Sequence, residues 1–219
     1  MERLVVLDTE TTGLDAENGH KIIEIGCVEI INRNITSNIF HEYINPMREI
    51  DERAIEIHGI TNDKLKDKPI FADVAIKFIE YLSNSPLVIH NASFDLGFLK
   101  SEFESSKNNP DILEQDRKIL DTLKIARAMF RSKRNSLDAL CSRYEIDNTD
   151  RNYHGALLDA KLLANVYLRM TRGQTKIEGL TERFIEVNNE NIANIKNRKE
   201  RIIQANKEEI ELHKNYFKQ

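Results

Sequence analysis

Three strand-like stretches within the first 44 residues constrain the fold of this chain more than any other feature. They are the apolar run 4–7, the stretch 22–31, which is rich in β-branched residues, and the loosely alternating stretch 35–44. Helical and strand-like patterns then alternate along the chain as far as residue 170. This order predicts an α/β fold in which a mixed sheet is flanked by helices.

The later part of the chain predicts short strands at 87–89 and 119–120, each followed by a helical pattern. Residues 45–70 contain Pro46, Gly59 and Pro69, which predicts a loop with one short helix. Helices are predicted in the segments 71–82, 94–103, 122–130, 136–144 and 154–170.

The helical pattern ends in the segment 171–174, which places a domain boundary near residue 172. We expect a folded domain at 1–172, a linker at 173–188 and a helical tail at 189–219. The apolar residues of the tail recur at helical spacing, at Ile195, Ile202, Ile210 and Phe217. Because one amphipathic helix cannot bury its own apolar side, the tail either folds back on the domain or binds a partner.

Composition excludes several classes of protein. With 40% hydrophobic and 31% charged residues, the chain is neither wholly disordered nor collagen-like. Cys27 and Cys141 lie beside apolar residues, which indicates reduced thiols. No apolar run approaches the roughly 20 residues of a membrane span, and no signal-peptide pattern is present. We therefore expect a cytoplasmic protein.

The charge distribution bears on binding to polyanions. The net charge is -4, and the first 180 residues carry 24 basic against 29 acidic side chains. If this domain binds a nucleic acid, it must do so through local charge or bound cations, and we expect its own affinity to be weak.

Carboxylates occur in three segments where a predicted strand or helix begins or ends. Asp8 and Glu10 follow the run 4–7, Asp95 falls in the first turn of a predicted helix, and Asp159 lies within the last one. On a strand, Asp8 and Glu10 point to the same side, and at 4 Å their repulsion is about 4 kcal/mol even at an effective dielectric of 20. Each motif alone is more often a surface turn or a helix-dipole residue, but ligands gather where strands meet helices.

Together, the four carboxylates carry a charge that two divalent cations would neutralise. Oxygen ligands indicate Mg²⁺ or Mn²⁺ and not zinc. Two such ions about 3.5–4 Å apart are used for phosphodiester hydrolysis. His154, which precedes the last helix and is followed by Gly155, would accept the proton of the attacking water. These residues predict metal-dependent hydrolysis of a phosphodiester.

These motifs resemble those of the DEDD exonucleases, in the branch with His in the third motif. They are Asp8-Thr9-Glu10-Thr11-Thr12-Gly13, His90-Asn91-Ala92-Ser93-Phe94-Asp95 and His154-Gly155-Ala156-Leu157-Leu158-Asp159. The stretches 21–26, 57–60, 133–141 and 143–148 resemble the epsilon subunits of bacterial DNA polymerase III, and the similarity extends from about residue 3 to 177. It implies a ribonuclease-H-like fold and a 3'-to-5' exonuclease that removes mispaired nucleotides from DNA 3' ends.

The resemblance also implies roles for individual residues. Asp8, Glu10, Asp95 and Asp159 match the family's metal ligands, and His154 matches its general base. Arg53 occupies a position at which the family usually has Glu. The residues expected to contact the substrate are Asp8, Thr9, Glu10, Arg53, His58 and Asp159.

Three protein partners follow from the resemblance: the polymerase alpha subunit, bound by the tail 189–219, a sliding clamp and a small theta-like subunit. Gln174 and Ile177 match the start of a clamp-binding peptide, but Glu178 and Gly179 replace its bulky end, so we expect weak clamp binding.

Two other interpretations stay open. An RNA-trimming exonuclease of the same superfamily would carry the same catalytic motifs, although the polymerase-like tail argues against it. A catalytically silent scaffold for the polymerase is a different class of protein, and the complete set of five catalytic residues argues against that one.

Overall fold

The computed structural model describes residues 2–106, 117–149 and 153–172. Within them, one five-stranded sheet has the order β3-β2-β1-β4-β5. The strands β1 and β2 pair antiparallel, as do β2 and β3, whereas β4 runs parallel to both β1 and β5. The strands are β1 (Arg3–Thr11), β2 (Ile22–Ile31), β3 (Asn34–Tyr43), β4 (Leu87–Ile89) and β5 (Ile119–Asp121). The mixed sheet flanked by helices is thus confirmed.

The helices of the described residues connect and cover these strands. A 3₁₀ turn at Ala16–Asn18 follows β1. The α-helices are α1 (Glu52–His58), α2 (Asn62–Leu65), α3 (Phe71–Leu82), α4 (Ala92–Ser105), α5 (Thr122–Met129), α6 (Leu137–Arg143) and α7 (Ala156–Met170). No helix in the described part of the chain is long and apolar enough to cross a membrane.

The two faces of the sheet carry different helices because strand side chains alternate. Val5 and Leu7 point into an apolar core that α3 and α4 complete, with Phe78, Phe98 and Phe103 fully buried in it. Helix α7 packs against β1 and β2, on the face that carries Gly26. Burial of the large side chains on one face stabilises the sheet that positions the polar residues on the other.

Two predictions about these elements were wrong, whereas the bounds of the others differ from those predicted by at most two residues. Strand β1 continues through Asp8 and Glu10 to Thr11 and does not end at residue 7, because pairing with β2 continues along these residues (Asp8 with Gly26, Glu10 with Glu24). The segment 45–70 contains two helices, α1 and α2, and not one.

Cys27 and Cys141 are buried, and neither forms a disulfide bond with a described residue. The residues up to Arg172 belong to one compact unit, Met1–Arg172. The linker predicted at 173–188 and the tail predicted at 189–219 lie outside the described residues.

Candidate active site

Strand β1 brings two of the predicted ligands to one side of the sheet. Asp8 and Glu10 are two residues apart, so their side chains share a face, and both line one open cavity. Glu10 is only 9% exposed. Two carboxylates on one side of a strand, one of them buried, are costly without a counter-charge, so the arrangement fits a cation site.

Asp95 comes from the first turn of α4 and is held by the neighbouring residue of β1. The backbone N–H and the hydroxyl of Thr9 donate to Asp95 Oδ1 at 3.1 Å and 2.8 Å. Burial raises the pKa of Asp95 to about 7, and the hydrogen bonds from Thr9 oppose that shift. A divalent cation at the site would favour the ionised form of this carboxyl.

The start of α7 supplies the third segment of the site. Gly155 is the N-cap, His154 precedes it, and Asp159 lies in the first turn, as predicted from the 154–159 spacing. The backbone N–H of His154 donates to the carbonyl of Ile57 in α1 at 3.0 Å. His154 Nδ1 lies 3.5 Å from Asp159 Oδ2, and the His154 side chain is 46% exposed whereas that of Asp159 is 4% exposed.

All three segments meet at one open cavity of about 400 Å³, which is within the usual size range of ligand sites. The residues predicted from the sequence that line it are Asp8, Thr9, Glu10, Asp95, His154 and Asp159. Ligand atoms of Glu10, His154 and Asp159 all lie within 4.8 Å of one another. Two of these three residues, Glu10 and Asp159, are carboxylates, whose oxygens are the ligands that Mg²⁺ and Mn²⁺ prefer.

Two other predicted substrate residues do not line this cavity. His58 is buried at the end of α1, and its Nδ1 accepts the backbone N–H of Ile60 at 3.0 Å. Burial lowers the pKa of His58, which favours the neutral ring. Arg53 is exposed on α1. The substrate contacts of His58 and Arg53 therefore stay predictions.

A second group of cavity residues lies outside the predicted set of catalytic, metal-binding and substrate-binding residues. His90 follows β4, and its Nδ1 lies 2.9 Å from the Thr122 hydroxyl, while burial lowers its pKa. Their positions in the sequence could have indicated them, because each of these residues follows β4 or β5 or belongs to the stretch 133–141. The further lining residues are His90, Asn91, Phe94, Leu123, Ser136, Leu137 and Asp138.

Known proteins are similar to this chain in sequence and in fold. A family model described as exonuclease, RNase T, matches residues 5–167. The DNA polymerase III subunit epsilon of Salmonella typhimurium is 54% identical over 189 residues, which cover 83% of this chain and 78% of that protein. The same subunit of Buchnera aphidicola is 48% identical over 233 residues, with 99% and 96% of the two chains covered.

A solved structure of exonuclease X in complex with 5' overhanging duplex DNA is similar to the described fold. Its TM-score is 0.62 at 28% sequence identity, and the match covers 79% of this chain and 93% of that one. The expected ribonuclease-H-like fold is therefore confirmed. With the family match across residues 5–167 and the high identity to the two subunits, the chain belongs to the exonuclease family of DNA polymerase III epsilon subunits.

Proposed function

We propose that this chain is the 3'-to-5' proofreading exonuclease of a DNA polymerase III and removes the terminal nucleotide from mispaired, single-stranded or frayed DNA 3' ends. The observation that carries the proposal is the meeting of four carboxylates and one histidine, from three distant segments, at one open cavity. The family membership agrees with it.

The carboxylates Asp8, Glu10, Asp95 and Asp159 would hold two divalent cations, Mg²⁺ or Mn²⁺. Such ions, when bound, activate water and stabilise the leaving oxygen. The cavity is lined by acidic groups and is open to solvent at the exposed side chain of His154. A polyanionic substrate therefore depends on those cations to approach the carboxylates.

His154 acts as the general base in this proposal. Asp159 lies beside its Nδ1, which favours the tautomer with a proton on Nδ1 and leaves Nε2 as the basic atom. Its exposed side chain can therefore take a proton from water at the cavity. Thr9 contributes differently, because its two hydrogen bonds hold Asp95 at the same site.

The partners are proposals of the same kind. The acidic balance of the first 180 residues predicts weak binding of duplex DNA by this chain alone. A polymerase alpha subunit, bound by residues 189–219, would keep the exonuclease near the primer end in the cytoplasm. A sliding clamp and a small theta-like subunit are further partners that the family suggests.

Degradation of a DNA primer with a mismatched 3' end tests the activity. We expect stepwise loss of 3' nucleotides in Mg²⁺ or Mn²⁺ and no loss after both ions are chelated, because the carboxylates then repel the substrate. Gel electrophoresis of end-labelled primer measures this, and purified Asp8→Ala protein controls for a contaminating nuclease. A preference for a matched RNA oligonucleotide would favour the RNA-trimming enzyme, and no metal-dependent cleavage at all would favour the scaffold.

Deletion of residues 181–219 tests the polymerase contact. We expect the shortened chain to lose co-purification with the polymerase alpha subunit and to keep its exonuclease activity on single-stranded DNA, because the described catalytic residues all precede residue 172. Unchanged co-purification would refute the assignment of polymerase binding to this tail.

A further inference from the structure

A buried carboxylate that the proposed chemistry does not use lies next to the site. Glu24, on β2, is only 2% exposed. Each of its two oxygens has a defined partner. Oε1 lies 2.7 Å from His41 Nε2 on β3, and Oε2 accepts the backbone N–H of Ala156 at 3.1 Å. One side chain thus connects the strands β2 and β3 to the first residue of α7.

The position of Glu24 in the sheet places it beside the proposed metal ligands. It pairs directly with Glu10 across the antiparallel strands β1 and β2, so the two side chains share a face. Like charges at such a pair are destabilising, and burial adds to the cost. A carboxylate is buried at this position although an apolar residue would avoid both penalties.

The contacts of Glu24 compensate for that cost and indicate a role at the start of α7. The start of α7 has backbone N–H groups without partners inside the helix, and Gly155 as N-cap supplies no side chain to accept from them. Glu24 accepts from Ala156 instead, and its negative charge is favourable at a helix N-terminus. His41 holds the other oxygen and thereby the orientation of the carboxylate.

We propose that Glu24, oriented by His41, is a positioning residue that caps α7 from the sheet and so sets Asp159 and His154 against Glu10. This rests on the proposed function, because it gives these three residues their roles at one metal site. Asp159 lies in the same first turn of α7 as Ala156, and His154 is two residues before Ala156. A small movement of this turn would change the distances among the ligand atoms that lie within 4.8 Å of one another.

The test compares Glu24→Ala and Glu24→Gln with the wild-type chain. Mn²⁺ affinity is measured without DNA by electron paramagnetic resonance, and kcat and KM are measured on the mismatched primer. Residues that orient metal ligands typically contribute 10- to 100-fold to metal affinity or activity. We expect Glu24→Ala to weaken Mn²⁺ binding and lower kcat by about that factor, with little change in KM. Glu24→Gln should recover most of the loss, since its amide oxygen can still accept from Ala156.

Glu29 provides the matched control. It is also on β2, it is 6% exposed, and its carboxylate accepts hydrogen bonds from Arg3, Thr36 and Asn38. However, it pairs with Val5, five residues before Glu10 on β1. Glu29→Ala should lower the melting temperature and leave Mn²⁺ affinity and kcat unchanged.

The outcomes separate this proposal from the function on which it rests. If Glu24→Ala does not fold, His41→Ala is measured in its place. This substitution removes the contact that orients Glu24, so it should also weaken Mn²⁺ binding. Wild-type Mn²⁺ affinity and kcat in a folded Glu24→Ala or His41→Ala protein would overturn the positioning role. Failure of the proposed function would instead appear as an inactive wild-type chain.

Discussion

Replacement of His154 by alanine is expected to slow removal of a mismatched 3' nucleotide by about 10²- to 10⁴-fold, the usual contribution of a general base. The physical reason is that the attacking water then loses the exposed imidazole that is proposed to take its proton. Single-turnover rates at saturating metal measure the chemical step apart from DNA binding. Because the side chain is 46% exposed, we expect the free energy of unfolding to change by no more than about 0.5 kcal/mol.

The controls for His154→Ala separate proton transfer from metal binding. Mn²⁺ affinity without DNA should remain close to that of the wild-type chain if the four carboxylates suffice as ligands. Asp159→Asn should instead lose both metal affinity and activity. An unchanged single-turnover rate in His154→Ala would rule out a base at this position.

Gly26→Ala is expected to destabilise the domain strongly and to inactivate it. A Cβ at this position would lie 2.2 Å from Leu157 N and 2.3 Å from the carbonyl carbon of Ala156. Both atoms are backbone of the first turn of α7, so no side-chain rotation relieves the clash. Overpacking of this kind costs on the order of 3 kcal/mol, and α7 must move away from the sheet together with Asp159. Urea unfolding and the primer assay measure the two effects.

Gly97→Ala is the matched control for Gly26→Ala. Gly97 lies within α4, and a Cβ there would meet nothing within 4 Å. Alanine is the better helix former, so stability should rise by up to about 1 kcal/mol. A Gly26→Ala protein as stable as the Gly97→Ala protein would contradict the close packing of α7 on β2.

Much of the fold followed from periodicity. The strand at Ile22–Ile31 and the helix at Phe71–Leu82 have the bounds that their sequence patterns predicted. The strand is buried on both faces and was indicated by its β-branched residues, whereas burial of one face of the helix selects the period of 3.6. The apolar run 4–7 did not predict that β1 continues as far as Thr11, since acidic residues carry no strand signal. Their strand conformation depends on hydrogen bonds to β2, which is a tertiary property.

The residues of the cavity likewise divide into those that the sequence predicted and those that only the tertiary structure placed. The types and spacing of Asp8, Glu10, Asp95, His154 and Asp159 predicted the chemistry, because carboxylates at element ends are costly unless they bind a cation. By contrast, Arg53 and His58 lie on α1 outside the cavity lining, and no local pattern indicated this.

The sequence by itself determined the order of strands and helices, the five residues of the proposed chemistry and the family resemblance, because all of these depend on side-chain type and local spacing. Only the tertiary structure decided that Gly26 lets α7 lie against the sheet and that Glu24 contacts Ala156, 132 residues further along the chain. Contacts between distant segments depend on how layers pack, and packing at close distance selects single positions that no local period distinguishes.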